Sequence, residues 1–226
     1  MTDARLRELE RTAPGDPAAG ARLLQERLRL GALTRDRLEL AAYAGDETAR
    51  LVLFGSLNPP VHTIPPDLLD VATAPFDTVD LATDAAGRLP SPLPRKFDLA
   101  RWLRGLSRWG PTVLVRAAEA AGRVALVVWR LYPMHARESA ERALDACAAW
   151  LACPCKDHER AWEAACDAVG PALLAELSWL PVPRDVAGCV AGWTEDALYA
   201  ADLAGEERVR EAVQRALVTW ALGESA

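Results

Sequence analysis

The sequence predicts an all-α protein: stacked antiparallel helical hairpins, bundle- or solenoid-like, interrupted by one Pro-rich irregular segment. Three observations lead there. The apolar residues of this 226-residue chain are mostly Ala and Leu, a helix-forming set with few β-branched residues in alternation. Helix start and stop signals recur at short intervals. Eight of the 16 prolines crowd into residues 57–97.

Residues 1–56 form the first block, a set of N-terminal helical hairpins. Asp16-Pro17 joins a capping acceptor to a proline in the first turn. Leu23, Leu24, Leu28 and Leu30 supply the apolar face, and Gly31 closes the helix. Thr34 caps the next helix, with Leu38, Ala41 and Ala42 on one side and Gly45 at its end. Asp46 caps a short helix through Phe54, which Gly55 stops.

Residues 57–97 are a Pro-rich linker or wrap. Pro59, Pro60, Pro65, Pro66, Pro75, Pro90, Pro92 and Pro94 remove backbone donors and disfavour helix before them. Short helices are expected near 67–73 and 77–87. Val61, Ile64, Leu68, Leu69, Val71, Phe76, Val79 and Leu81 predict that the segment packs on the helices rather than floating free.

Residues 98–226 form the main helical domain. Asp98 can cap a helix to Arg108. Gly110-Pro111 opens a long helix through Leu131, broken by Tyr132-Pro133. The stretch 136–152 places Ala140, Ala143, Leu144, Cys147 and Leu151 on one face. Asp157 can cap a helix over 158–168, and Gly170-Pro171 restarts the chain. Beyond Pro181-Val182-Pro183, helices are expected near 184–190, 195–203 and 206–222. A weak repeat at an offset of 160 residues pairs Leu38, Ala41, Ala44, Gly45, Asp46, Glu47 and Arg50 with Leu198, Ala201, Ala204, Gly205, Glu206, Glu207 and Arg210. Each copy reads as helix, Gly turn, acidic cap, helix.

Two stretches resemble known families. Leu38 to Asp46 resembles the first helix and turn of an ankyrin-type repeat, without the Thr-Pro-Leu-His entry. Residues 112–168 resemble a helical family of immunity proteins from bacterial toxin systems. The matching features are Arg116-Ala117-Ala118, Val127-Val128-Trp129, Tyr132-Pro133, Arg137 and the Ala-rich run from Ala143 to Trp150. The resemblance implies a protein that binds another protein, one encoded nearby.

Composition narrows the function. The net charge of −6 disfavours a nucleic-acid partner. Five cysteines, four of them crowded, do not make a secreted disulfide framework, and Val124 to Trp129 is too short to cross a bilayer. A cytoplasmic, non-membrane protein is expected.

The sharpest candidate for chemistry is Cys153-Pro154-Cys155-Lys156-Asp157-His158. Two thiolates and an imidazole can hold Zn²⁺, with Cys147 or Cys166 as fourth ligand. Small side chains at a helix junction explain the same residues without a metal, and no cofactor is required. Arg101, Arg104 and Arg108 share one helix stripe, with Arg95 and Lys96 just before; they suit an acidic partner or phosphates, or a solvated face. Of eight tryptophans, most sit among Ala and Leu as core; Trp179 and Trp193 lie near loops as the exposed ones and join the arginines as candidate partner-binding residues. His62 and His135 are lone loop histidines. Glu159, Glu163 and Asp167 read as a solvated face.

No phosphate-binding glycine loop, His-Glu-x-x-His or Gly-x-Ser-x-Gly occurs. The expectation is a non-catalytic helical protein-binding module of the immunity-like, adaptor or regulatory kind. A nucleic-acid or phosphate-binding module using the Arg stripe, and a small zinc-containing helical protein, are the alternatives.

Overall fold

A computed structural model describes residues 2–13, 16–57, 59, 63–74, 98–128, 134–167 and 204–223. The all-α class holds: among these residues every regular element is a helix and none is a strand. The helices are α1 (Thr2–Thr12), α2 (Pro17–Arg29), α3 (Arg35–Tyr43), α4 (Glu47–Phe54), α5 (Leu69–Thr73), α6 (Leu99–Gly105), α7 (Pro111–Val128), α8 (Met134–Ala152), α9 (Lys156–Asp167) and α10 (Glu206–Leu222). By contacts the chain divides into two units, Met1–Asp98 with Val218–Ala226, and Leu99–Leu217. The expected helices at 77–87, 184–190 and 195–203 lie outside the described residues, as do Arg95, Lys96, Trp179, Trp193 and Cys189.

In the first unit the caps are local and match the sequence. Asp16 accepts from Ala18 N–H at 2.9 Å, Thr34 from Arg37 N–H at 3.4 Å and Asp46 from Ala49 N–H at 2.7 Å. α2 and α3 end alike. Gly31 N–H donates to Leu28 O and Ala32 N–H to Arg27 O; Gly45 N–H donates to Ala42 O and Asp46 N–H to Ala41 O. The glycine enters the left-handed region, φ 101° at Gly45, where a side chain would clash with the following carbonyl.

α1 packs on α2, α2 on α4, and α3 on both α4 and α5. Leu24, Leu38, Leu40, Ala41, Ala42 and Ala49 are buried between them. Leu30 departs from the expected apolar face: it is 40 % exposed, because it is the cap residue where the chain turns out of α2. At the last turn of α10, Arg37 stacks over the Trp220 ring at 4.8 Å.

The Pro-rich segment packs down where it is described. Ile64, Leu68 and Val71 are buried, and a 3₁₀ turn at Pro66–Leu68 leads into α5. Five residues cannot hold a helix on their own. Arg50 supplies the missing support. Its guanidinium, on α4 and only 6 % exposed, donates to Ala72 O at 2.8 Å, Ala74 O at 3.0 Å, Val71 O at 3.3 Å and Leu57 O at 3.5 Å. Burial pushes its pKa down, and the nearby Glu47 carboxylate partly restores it.

In the second unit, α6 runs into a 3₁₀ turn at Leu106–Trp109, and the long α7 follows Gly110-Pro111. α7 packs on that turn and on α8, and α8 packs on α9. The core holds Leu99, Trp102, Leu103, Leu106, Val113, Ala117, Ala121, Leu144, Cys147 and Trp162. Trp150 and Trp162 meet tilted at 5.5 Å between centroids. α8 begins at Met134, two residues before the expected start, so His135 stands in a helix and not in a loop. Residues 129–131, the expected end of α7, lie outside the described residues. In α10, Val209, Val213 and Leu217 are buried at successive turns.

Of the second copy of the repeat, Leu198 and Ala201 lie outside the described residues, and the turn and the helix after it can be compared. Gly205 has φ 95°, close to Gly45, and Ala44 and Ala204 are both buried. The second helix starts one residue earlier, so Glu206 is its first helical residue where Asp46 is a cap. The arginines differ too: Arg50 is the buried clamp, and Arg210 pairs with Glu207 at 3.4 Å.

Two stability predictions follow. Arg50→Ala strands four carbonyls and should cost about 2–4 kcal/mol in urea denaturation, with Arg50→Lys recovering less than half, because an ammonium cannot fork among them. A Cβ at Gly20 would meet Thr48 Cγ2 at 2.9 Å. Gly20→Ala should therefore destabilise by about 1 kcal/mol despite the better helix propensity, and Thr48→Ala in the same chain should turn the change into a gain.

Candidate functional site

The junction of α8 and α9 is built by three consecutive residues. Cys153 N–H donates to Ala149 O at 3.0 Å and ends α8. Pro154 cannot continue the helix. Cys155 N–H then donates back to Cys153 O at 2.8 Å, a three-residue turn with Pro154 at its centre. Glu159 N–H donates to Cys155 O at 3.0 Å and starts α9.

Cys155 therefore occupies the cap position expected for Asp157. Asp157 lies inside the first turn and pairs with Arg160 at 3.6 Å. The difference has a plain cause: a sulfur can accept from the free N–H groups of a first turn as a carboxylate does, and the proline fixes where that turn begins.

His158, one turn on, completes the cluster. Its Nδ1 lies 2.9 Å from Cys153 O and 3.4 Å from Cys155 Sγ. A carbonyl can only accept, so Nδ1 carries the proton in this arrangement. The ligand atoms of Cys153, Cys155 and His158 all lie within 4.8 Å of one another. The two cysteines are exposed free thiols.

The thiols are not equivalent. The backbone N–H of His158 holds the Cys155 thiol below its ordinary range, helped by hydrogen bonds from Cys153 and the Asp157 N–H and by the His158 charge. Cys153, donating to that sulfur, is pushed up. Cys147 is fully buried on α8 and takes no part; the side chain of Cys166 lies outside the described set.

The arginine stripe is the second candidate. Arg101, Arg104 and Arg108 are all exposed along α6 and its 3₁₀ continuation, while Leu99, Trp102, Leu103 and Leu106 are buried. At about 100° per α residue and 120° per 3₁₀ residue, the three arginines span an arc of roughly 100° opposite the buried four. Arg108 lies over the Trp109 ring at 4.7 Å.

A cleft of ≈ 380 Å³ in the first unit is lined by Glu10, Gly20, Leu24, Arg27, Asp46 and Thr48, among others. Asp46 is already committed as the α4 cap. None of the candidate site residues named from the sequence lines it.

Compared with protein-family models, curated proteins and solved structures, the chain matches none. No helix among the described residues is long and apolar enough to cross a membrane.

The thiol geometry is directly testable. In metal-free, reducing buffer, limiting iodoacetamide should modify Cys155 before Cys153 and leave Cys147 intact, as read by peptide mass mapping. The Cys155 rate should rise with pH through a midpoint below that of a free thiol, since the thiolate is the nucleophile. Equal labelling of Cys153 and Cys155 would refute the asymmetry.

Proposed function

We propose that the chain is a non-catalytic protein-binding module, immunity-like, adaptor or regulatory, that docks an acidic surface of another protein on Arg101, Arg104 and Arg108. The carrying observation is the strip itself: three exposed guanidinium groups on the outer side of a segment whose inner side is buried Leu and Trp. That backing holds the strip in place. The Arg108 guanidinium lies over the Trp109 ring at 4.7 Å, a contact that orients it at the end of the strip.

A local positive strip on a chain of net charge −6 favours one orientation of approach and repels acidic surfaces elsewhere. The same charge works against a nucleic acid, whose backbone would face repulsion beyond the strip. The resemblance of residues 112–168 to bacterial immunity proteins points the same way and suggests a partner encoded next to this chain. The proposed setting is the cytoplasm, where the thiols of Cys147, Cys153 and Cys155 stay reduced.

Co-expression with the products of adjacent genes tests this. The wild-type chain should co-purify with one of them. Reversal of all three residues (Arg101→Glu, Arg104→Glu and Arg108→Glu) should weaken the complex at least about a hundredfold, roughly 2.8 kcal/mol, with unchanged circular dichroism. Salt-sensitive retention on generic DNA or RNA, lost in the same variant, would replace a protein partner with a phosphate-bearing one.

A further inference from the structure

The α8–α9 junction holds its three ligand-bearing residues in a metal-like arrangement that the docking surface does not use. Tetrahedral zinc has bonds of about 2.3 Å to sulfur and about 2.0 Å to nitrogen. Those bonds set sulfur and nitrogen roughly 3.5 Å apart, and two sulfurs roughly 3.8 Å apart. Cys155 Sγ and His158 Nδ1 already stand 3.4 Å apart, and the whole triad lies within 4.8 Å. Closure of no more than about 1.3 Å brings the set to bonding geometry.

The backbone that carries them is fixed independently of any ion. Cys153 is held by the end of α8, Cys155 by the turn over Pro154 and the start of α9, and His158 by the first turn of α9. One carbonyl, Cys153 O, receives both the Cys155 N–H and the Nδ1 proton. The cysteines face solvent, so an ion can reach them.

We propose that Cys153 Sγ, Cys155 Sγ and His158 Nδ1 bind one Zn²⁺ and leave its fourth coordination position to water or an external ligand. Two thiolates with one imidazole match the borderline-soft d¹⁰ ion. On binding, the Nδ1–H bond to Cys153 O breaks and the imidazole changes tautomer, its proton moving through solvent from Nδ1 to Nε2; the two thiol protons pass to solvent, and the nitrogen and sulfur lone pairs go to the metal with no change of oxidation state. Three protein ligands, rather than four, set the site apart from a closed structural zinc. Cys147 is not the fourth, being buried in the core away from the triad.

The test is a titration of the full chain, reduced and metal-free, with Co²⁺ and then Zn²⁺. One Co²⁺ per chain should bind with a near-ultraviolet thiolate-to-cobalt charge-transfer band, and one equivalent of Zn²⁺ should bleach it. Cys153→Ser, Cys155→Ser and His158→Ala should each weaken binding at least tenfold. Cys147→Ala should leave the titration unchanged. Each variant is checked by circular dichroism, and the three ligand positions carry little of the core. Absence of the band would overturn the site, as would its persistence in the Cys153→Ser, Cys155→Ser double variant, or one ion per two chains. Loss of the band in Cys166→Ala would overturn the open fourth position.

Discussion

A helix leaves four N–H groups at its start and four carbonyls at its end without partners, whatever its length. The helices of the first unit are short, so the unpaired groups are a large share of their backbone. How those groups are satisfied decides how the chain can turn. The sharpest case is Arg50, whose buried guanidinium takes three carbonyls at the end of α5 and that of Leu57, just after α4. Its hydrogen bonds go to backbone carbonyls, and the Glu47 carboxylate offsets part of the cost of burying the charge. The clamp is what lets a five-residue helix exist inside a proline-rich segment.

The same constraint shapes the cysteine–histidine junction. α8 must end and α9 must begin within three residues, so the free groups of both termini crowd together. Cys153 and Cys155 satisfy them with backbone and sulfur alike, and His158 falls within reach because it is one turn into α9. Chemistry at this site is thus a by-product of helix termination: the groups that stop one helix and start another are also groups that ligate soft metals.

Much of this was legible in the sequence because it is local. Asp16, Thr34 and Asp46 cap within three residues, and Gly31, Gly45 and Gly55 turn the chain within two. The all-α class and the arginine stripe needed only composition and periodicity. The Arg50 clamp was hidden, because three of its four acceptors lie 21 to 24 positions downstream and a lone Arg in an amphipathic helix looks like surface. The start of α9 was misplaced because Asp157 is the stronger cap former by type, whereas Pro154 decided the position. The cluster itself was visible as spacing, but whether Cys147 belonged to it was not: its place in the core is set by packing between helices.

The Arg50 clamp also bears on modularity. A chain cut after Ser56 would keep α1 to α4 intact on paper, yet it would retain a desolvated guanidinium and discard every carbonyl from Val71 to Ala74 that answers it. Conversely, residues 63–74 moved to another protein would arrive without the guanidinium that binds the carbonyls of Val71, Ala72 and Ala74. Transplantation, truncation and circular permutation all have to treat Arg50 and α5 as one inseparable part, although proline and glycine signals punctuate the chain between them.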